Sequence, residues 1–385
     1  MRLPGLRVGE SLPGGRIVMI KFGSLLLLLI TLSGVGGELP PADGERVMRG
    51  QSPENGELRP DVDRSAGEVI RGTFRSPHGD RAWRLYLPPP EAVTAPPPTG
   101  RAGMTVLSDP GEEPGEPRAP LLVLLHGCTQ DADDMARGTR MDQLARERGV
   151  AVLYPEQPTA ANATRCWNWF EPGHQRRGAG EPALIAGMIE ETVRERGLDP
   201  ERVFVAGISA GGALAATLAA TYPERISGVA VHSGVPFGAA RGLPEAREVM
   251  GGEAETPTRD LADAMIDAMG DRARPVPLLV MHGERDEVVS ARNADWFALQ
   301  WSRLLAELTG MPTVEELNPA REGAGPGVRV RVLKGIAGEI HFEMWRLAEL
   351  GHAWSGGSEE GTYTDPAGPE ASRIMMEFFL DRSAR

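Results

Sequence analysis

Within this 385-residue chain, Gly207-Ile208-Ser209-Ala210-Gly211 stands between an apolar run and an alanine-rich run. A strand that turns sharply into a helix at such a point strains the backbone of the central residue, and small neighbours relieve the crowding. The Ser209 hydroxyl is then presented at a sheet edge, and the Ala210 N–H faces the place where negative charge grows on an attacked carbonyl. This is the pattern of a nucleophile elbow. With 48 glycines in the chain, a pentapeptide holding two of them arises easily by chance, so the flanks decide. Arg202 to Ala206 reads as a β-rich strand and Gly212 to Ala220 supplies strong helix formers.

A serine hydroxyl attacks only when a base removes its proton, and the base works best when an acid fixes its tautomer. In the chain order that goes with this elbow, acid and then histidine follow the serine. Of seven histidines, only His341 and His352 lie beyond the last well-formed strand. His352, in Gly351-His352-Ala353-Trp354-Ser355-Gly356-Gly357, has the loop setting a base needs, whereas His341 sits among Ile340, Phe342 and Met344. Carboxylates at Glu284, Asp286 and Glu287 follow the apolar strand Leu278 to Met281 and compete for the acid role. Asp286 is favoured, one turn past the strand and just before Val288-Val289, with Glu284 the runner-up. A second oxyanion donor is expected from the turn His126-Gly127-Cys128-Thr129-Gln130, where the Cys128 N–H would face Ala210 and His126 is structural. The chemistry requires no cofactor, and the histidines lack metal-ligand spacing.

The elements that must carry these residues follow from periodicity. Val69 to Leu87 reads as a β-hairpin around Ser76 to Asp80, forming the antiparallel edge of a sheet. Leu121 to Leu125, Val150 to Tyr154, Arg202 to Ala206, Gly228 to His232 and Val276 to Met281 read as buried strands. Helices are expected over Met141 to Arg148, Glu181 to Arg196, Ala210 to Thr221, Asn293 to Leu308 and Pro369 to Leu380. Val328 to Leu333 and the segment from Ile340 to Leu350 are less defined. The alternation implies an α/β fold with a mostly parallel sheet covered by helices on both faces, and a ligand site at the carboxyl ends of the strands.

Composition narrows the partners. A net charge of −13 with no basic block excludes nucleic acid as a partner. Phe22 to Val35 is an apolar stretch preceded by Lys21 and followed by Gly36-Gly37, the parts of a secretory signal peptide within residues 1–37, with Met19 as an alternative start. An uncleaved membrane anchor is the competing reading, but about 20 apolar residues are needed to span a bilayer. After cleavage no stable membrane partner is expected, and the protein would be extracellular or periplasmic. Residues 38–66 read as a flexible linker, residues 67–385 as one catalytic domain, and about 88–120 as a surface insertion within it. The two cysteines, Cys128 and Cys166, would meet an oxidising compartment, and the sequence leaves open whether they pair or remain buried thiols.

His126-Gly127-Cys128-Thr129-Gln130, Arg165-Cys166-Trp167-Asn168-Trp169-Phe170, Gln175-Arg176-Arg177-Gly178-Ala179-Gly180-Glu181, the elbow at Ser209 and the motif at His352 together resemble the extracellular poly(3-hydroxybutyrate) depolymerase and feruloyl esterase-like family of α/β-hydrolases, over about residues 67 to 382. The resemblance implies a secreted serine esterase with Ser209, Asp286 and His352 as its triad and Cys128 at the oxyanion hole. Its partner would be an ester substrate, either polymeric or oligomeric hydroxyalkanoate or acylated polysaccharide. A serine peptidase of the same fold and an inert binding protein are the competing readings. The sequence departs from the family pattern in the 88–120 insertion and in having no polymer-binding domain after Arg385, which weighs against crystalline polymer. Trp167, Trp169 and Trp354 are read either as an apolar wall for the acyl group or as core. Arg176 and Arg177 are expected to be solvated loop charges, and residues 238–275 a small cap over the site.

Overall fold

The computed structural model describes residues 18–22, 25–29, 66–94, 117–254, 258–310, 313–318, 321–322, 324–335 and 338–383. The expected linker and most of the expected insertion lie outside these residues. Two units are distinguished, residues 1–59 and 60–385. In the first, β1 (Val18–Phe22) and β2 (Leu25–Leu29) pair as an antiparallel hairpin. Among the described residues, no helix is long and apolar enough to cross a membrane.

The second unit begins with β3 (Glu68–Ser76) and β4 (Gly79–Leu87), the expected hairpin. Four strands follow, β5 (Leu121–Leu125), β6 (Ala151–Pro155), β7 (Val203–Ile208) and β8 (Gly228–His232), then β9 (Leu278–Gly283). Beyond them come β10 (Val314–Leu317), β11 (Val328–Lys334) and β12 (Ile340–Leu347). All ten form one sheet in the order β10-β11-β12-β9-β8-β7-β5-β6-β4-β3. The six strands from β12 to β6 run parallel, and both edges are antiparallel. The alternation of strand and helix in the sequence thus gives the expected doubly covered sheet.

Successive residues of the central strands enter opposite cores. Leu121, Val123, Val205 and Val280 face one, with Leu184, Leu214, Met265 and Trp301. Leu122, Leu124, Phe204 and Leu279 face the other, with Met135, Met141, Met375 and Phe379. Strands buried on both faces need no polar alternation, which is why they read as continuous apolar runs. The first core is covered by α3 (Gly180–Arg196), α4 (Ala210–Thr221), α6 (Thr258–Met269) and α7 (Arg292–Thr309). The second lies under α1 (Ala132–Thr139), α2 (Met141–Arg148) and α8 (Ala371–Ser383).

The expected cap over 238–275 is corrected. Its helices α5 (Leu243–Gly251) and α6 bury Val249, Leu261, Met265 and Met269 in the first core. Gln300 on α7 donates to the carbonyls of Phe237 and Leu261, and Asn293 donates to that of Val249. Apolar side chains on these helices were numerous enough to require a packed face, and the sheet body supplies it.

Candidate active site

Ser209 caps α4 at the end of β7 with φ 56° and ψ −123°, a left-side backbone that costs a non-glycine residue about 1–3 kcal/mol. Crowding explains the flanking glycines. A Cβ on Gly207 would meet the Gly211 carbonyl at 2.5 Å, and one on Gly211 would lie 2.3 Å from the Leu125 carbonyl oxygen. The elbow therefore closes directly on the end of β5. The Ser209 N–H is held by the His232 carbonyl at 2.9 Å, which fixes the turn from the neighbouring strand.

Asp286 follows β9, and His352 follows β12, the strand that pairs with β9 in parallel. Gly283 permits their approach, since a Cβ there would meet the Leu350 carbonyl oxygen at 2.2 Å. The Glu284 N–H bonds the Leu347 carbonyl and the Arg285 N–H that of Leu350, so the two loops are stitched along their backbones. His352 Nδ1 donates to Asp286 Oδ2 at 2.8 Å. A carboxylate can only accept, so Nδ1 carries a proton here and Nε2 is the nitrogen available for proton transfer.

Asp286 is deeply buried and more fully bonded than one imidazole requires. Its Oδ1 accepts from the Val288 and Val289 N–H groups, and His282 Nε2 lies 3.5 Å from Oδ2 while donating to the Val289 carbonyl at 2.8 Å. Burial pushes its carboxyl upward, but the hydrogen bonds from His282 and His352 outweigh that and hold it well below the ordinary carboxylate range. The runner-up Glu284 is committed elsewhere. It pairs with Arg346 and Arg329, whose hydrogen bonds hold it ionised. His341 on β12 lies beside Glu339 at 3.2 Å, far from this role.

The turn after β5 backs onto the elbow, with an added Gly127 Cβ lying 3.5 Å from Ser209 Cβ. The Gly127 N–H is taken by Gln130 Oε1 and the Thr129 N–H by the Thr164 carbonyl. The intervening Cys128 N–H, like the first N–H of α4 at Ala210, has no protein acceptor among the described residues. Cys128 and Cys166 are joined in a disulfide, with Cα atoms 4.2 Å apart, tying the turn after β5 to the loop after β6.

Of the two readings of the tryptophans, the structure places all three in buried positions. Trp167 is buried and donates to the His126 carbonyl, Trp354 is buried and donates to Ser372 Oγ, and Trp169 packs edge-on against Phe170. Arg176 is exposed, whereas Arg177 is not a free loop charge: it forks onto Glu224 and lies over the Tyr222 ring.

Several residues that position the site were not singled out in the sequence. His232 accepts the Ser355 N–H and stacks on Trp354, linking the elbow to the His352 loop. Glu181, almost fully buried, accepts from Gln157, from the Asn168 side chain and from the Asn168 N–H, pinning the loop that carries Cys166. The Tyr363 and His352 rings form a T-shaped pair with centroids 6.3 Å apart, and Tyr363 is exposed. Their sequence neighbours carry no pattern that predicts these contacts, although Glu181 closes a quoted motif.

A match to the family described as Esterase PHB depolymerase extends over residues 108–317, more than half of the chain, and includes Cys128, Ser209 and Asp286. The chain belongs to this esterase family. It is 31% identical over 257 residues to poly(3-hydroxyalkanoate) depolymerase C of Paucimonas lemoignei, covering 64% of this chain and 56% of that protein. It is 30% identical over 206 residues to feruloyl esterase B of Thermothelomyces thermophilus, covering 50% of this chain and 70% of the relative. The chain thus spans little more than half of the depolymerase. Among solved structures, an acetyl xylan esterase from Aspergillus awamori superposes with a TM-score of 0.60 at 20% identity, over 82% of this chain and all of that one, a likeness of α/β-hydrolase fold.

Proposed function

We propose that this member of the esterase family is an exported serine esterase acting through an acyl-enzyme. The observation that carries the reading is the 2.8 Å hydrogen bond from His352 to a buried, ionised Asp286, at the same sheet edge as a strained Ser209. Ser209 Oγ bonds to the ester carbonyl carbon while His352 Nε2 takes its proton, and the oxyanion is received by the N–H groups of Cys128 and Ala210. The carbon–oxygen bond to the alcohol then breaks as His352 returns the proton to the leaving oxygen. Water, deprotonated by the same imidazole, attacks the acyl carbon and releases the acid and Ser209.

The relatives' names point to hydroxyalkanoate and feruloyl or acetyl esters as the substrate range. Export is supported by the basic and apolar order of residues 21–35 and by the disulfide, which suits an oxidising compartment. The test is hydrolysis of p-nitrophenyl butyrate with fluorophosphonate labelling. Wild type should turn over and label at Ser209, and Ser209→Ala should do neither. Full activity in Ser209→Ala would end the proposal.

A further inference from the structure

Glu181, at the start of α3, is 1% exposed, and its carboxylate gathers donors from the loop after β6. Oε2 accepts the Asn168 N–H at 2.7 Å, and Oε1 accepts from the side-chain amides of Asn168 at 2.8 Å and Gln157 at 2.5 Å. From this convergence we infer that Glu181 is a positioning residue of the oxyanion hole, holding the Cys128 N–H in line through the Cys166 loop. The inference rests on the esterase reading above and adds a residue outside the triad to the machinery of that reaction.

A continuous chain of bonds joins the carboxylate to the turn after β5. Asn168 Oδ1 accepts from Asn162 Nδ2 at 2.9 Å, and Asn162 Oδ1 accepts the N–H groups of Thr164 at 3.0 Å and Cys166 at 3.3 Å. The Thr164 carbonyl then takes the Thr129 N–H at 2.7 Å, next to Cys128 itself. Gln157 gives a second route. Its side chain spans Glu181 and the Cys166 carbonyl, and its backbone N–H donates to His126 Nε2 at 3.0 Å. The disulfide and the bond from Trp167 Nε1 to the His126 carbonyl at 3.0 Å complete the contact between the two loops. The turn is thus held on both sides of Cys128 by a segment that is itself fastened to one carboxylate.

The position requires a carboxylate. Burying one is costly unless donors meet its oxygens. Here three N–H donors do so, and the Arg81 guanidinium lies 3.7 Å from Oε1. An amide of the same shape can offer its one oxygen to the two side chains, but its NH2 then faces the Asn168 N–H, donor against donor. The loop must retreat there, and the retreat reaches Cys128. A donor serves an oxyanion only within about 2.7–3.1 Å, so a small displacement lowers the rate without altering substrate binding.

Kinetics of Glu181→Gln and Asn168→Ala on p-nitrophenyl butyrate test the inference, with Ile189→Ala, a buried change elsewhere on α3, as the control for lost stability. A fall in kcat of about tenfold in Glu181→Gln and about threefold in Asn168→Ala is expected, with KM unchanged. An alkyl trifluoromethyl ketone, to whose carbonyl carbon Ser209 Oγ adds reversibly as His352 takes the proton, should bind more weakly by the same factors, because its oxyanion needs the same donors. The acid limb of the pH–rate profile should stay in place, since His352 and Asp286 stand on other loops. Ile189→Ala should keep the wild-type kcat and inhibitor affinity. If Glu181→Gln does not fold, Asn168→Ala, at a part-exposed residue, carries the test alone. Unchanged kcat and inhibitor affinity, a shifted acid limb, or an equal loss in Ile189→Ala would each overturn the assignment. Failure of the esterase reading would show separately, as wild type without turnover or Ser209→Ala with it.

Discussion

Asp286 accepts three hydrogen bonds, from His352, Val288 and Val289, and lies 3.5 Å from His282, where orienting one imidazole needs a single contact. The Val288 and Val289 N–H groups and His282 compensate a carboxylate taken out of water, a cost that would otherwise drive it to protonate. Because the charge is already secured, Asp286→Asn is expected to leave the fold intact but reduce kcat about 10³–10⁴-fold, since an amide can donate to Nδ1 and hold the wrong tautomer. Circular dichroism beside p-nitrophenyl butyrate kinetics checks this, and a loss below about tenfold would remove Asp286 from the acid role. At this scale the sequence was most legible where chemistry forces residue order. Ser209, then Asp286, then His352 satisfied that order, and Glu284 lost its claim only through its arginine partners. It was least legible for tryptophan. Residue type tells how much surface Trp167 can bury, and only the tertiary structure tells whether that surface faces a ligand or the His126 turn.

Two local devices hold the elements that carry the site. The first is the contact of α4 with the end of β5, where Gly211 leaves room for the Leu125 and His126 carbonyls at 2.3 and 2.6 Å from an added Cβ. Both obstacles are backbone, so Gly211→Ala must part the helix from the strand. A stability loss of about 1–3 kcal/mol in urea unfolding is expected, together with a fall in kcat because Ala210 and Cys128 separate. Unchanged stability would show that the elbow has slack. The second device is the Cys128–Cys166 disulfide, which closes a 38-residue separation. Cys166→Ser should cost about 2–4 kcal/mol and lower kcat beyond that loss, measured well below the unfolding midpoint, as the Cys128 N–H gains freedom. Unaltered kcat would confine the bridge to stability. The strands β3 to β9 and the helices α2, α3, α4, α7 and α8 were readable because burial on both faces or a sustained apolar content marks them. The short α1 was not, because Asp131 caps it by accepting the Asp134 N–H and Gly138 and Thr139 end it, a composition that reads as loop. Strand β10 is four residues of exposed, acidic sequence at a sheet edge, with no alternation to reveal it.

Across the whole molecule, the parallel sheet gathers the β5, β7, β9 and β12 loops at one edge, and two buried neutral histidines brace that edge. His126 donates from Nδ1 to the Gly127 carbonyl and accepts the Gln157 N–H at Nε2, while His232 accepts the Ser355 N–H at Nε2 and faces Ser233 Oγ with Nδ1. Protonating either one would set an N–H against an N–H. Burial lowers His126 to about 4, against small opposing effects of the Gly127 carbonyl, Asp131 and Asp134, with Arg165 adding to the lowering. Burial lowers His232 to about 3, helped by His282 and His352 and opposed by Asp286. Both folded values lie below the unfolded value of about 6.5, so the unfolded chain binds protons that the native protein refuses. Their contribution is full above about pH 6.5 and is lost as pH falls toward the folded values. The depressed Asp286 acts in the same direction only at lower pH, below its unfolded value of about 3.9. Acid also reduces the net charge of −13 and so relieves self-repulsion, but in 0.15 M salt that long-range effect is largely screened. Unfolding free energy from urea titrations should therefore fall between pH 6 and 4.5 with a slope approaching about 2.7 kcal/mol per pH unit, the value for two protons taken up on unfolding. A flat profile across that window would mean that the two imidazoles titrate normally in the folded protein and that the edge is open to water.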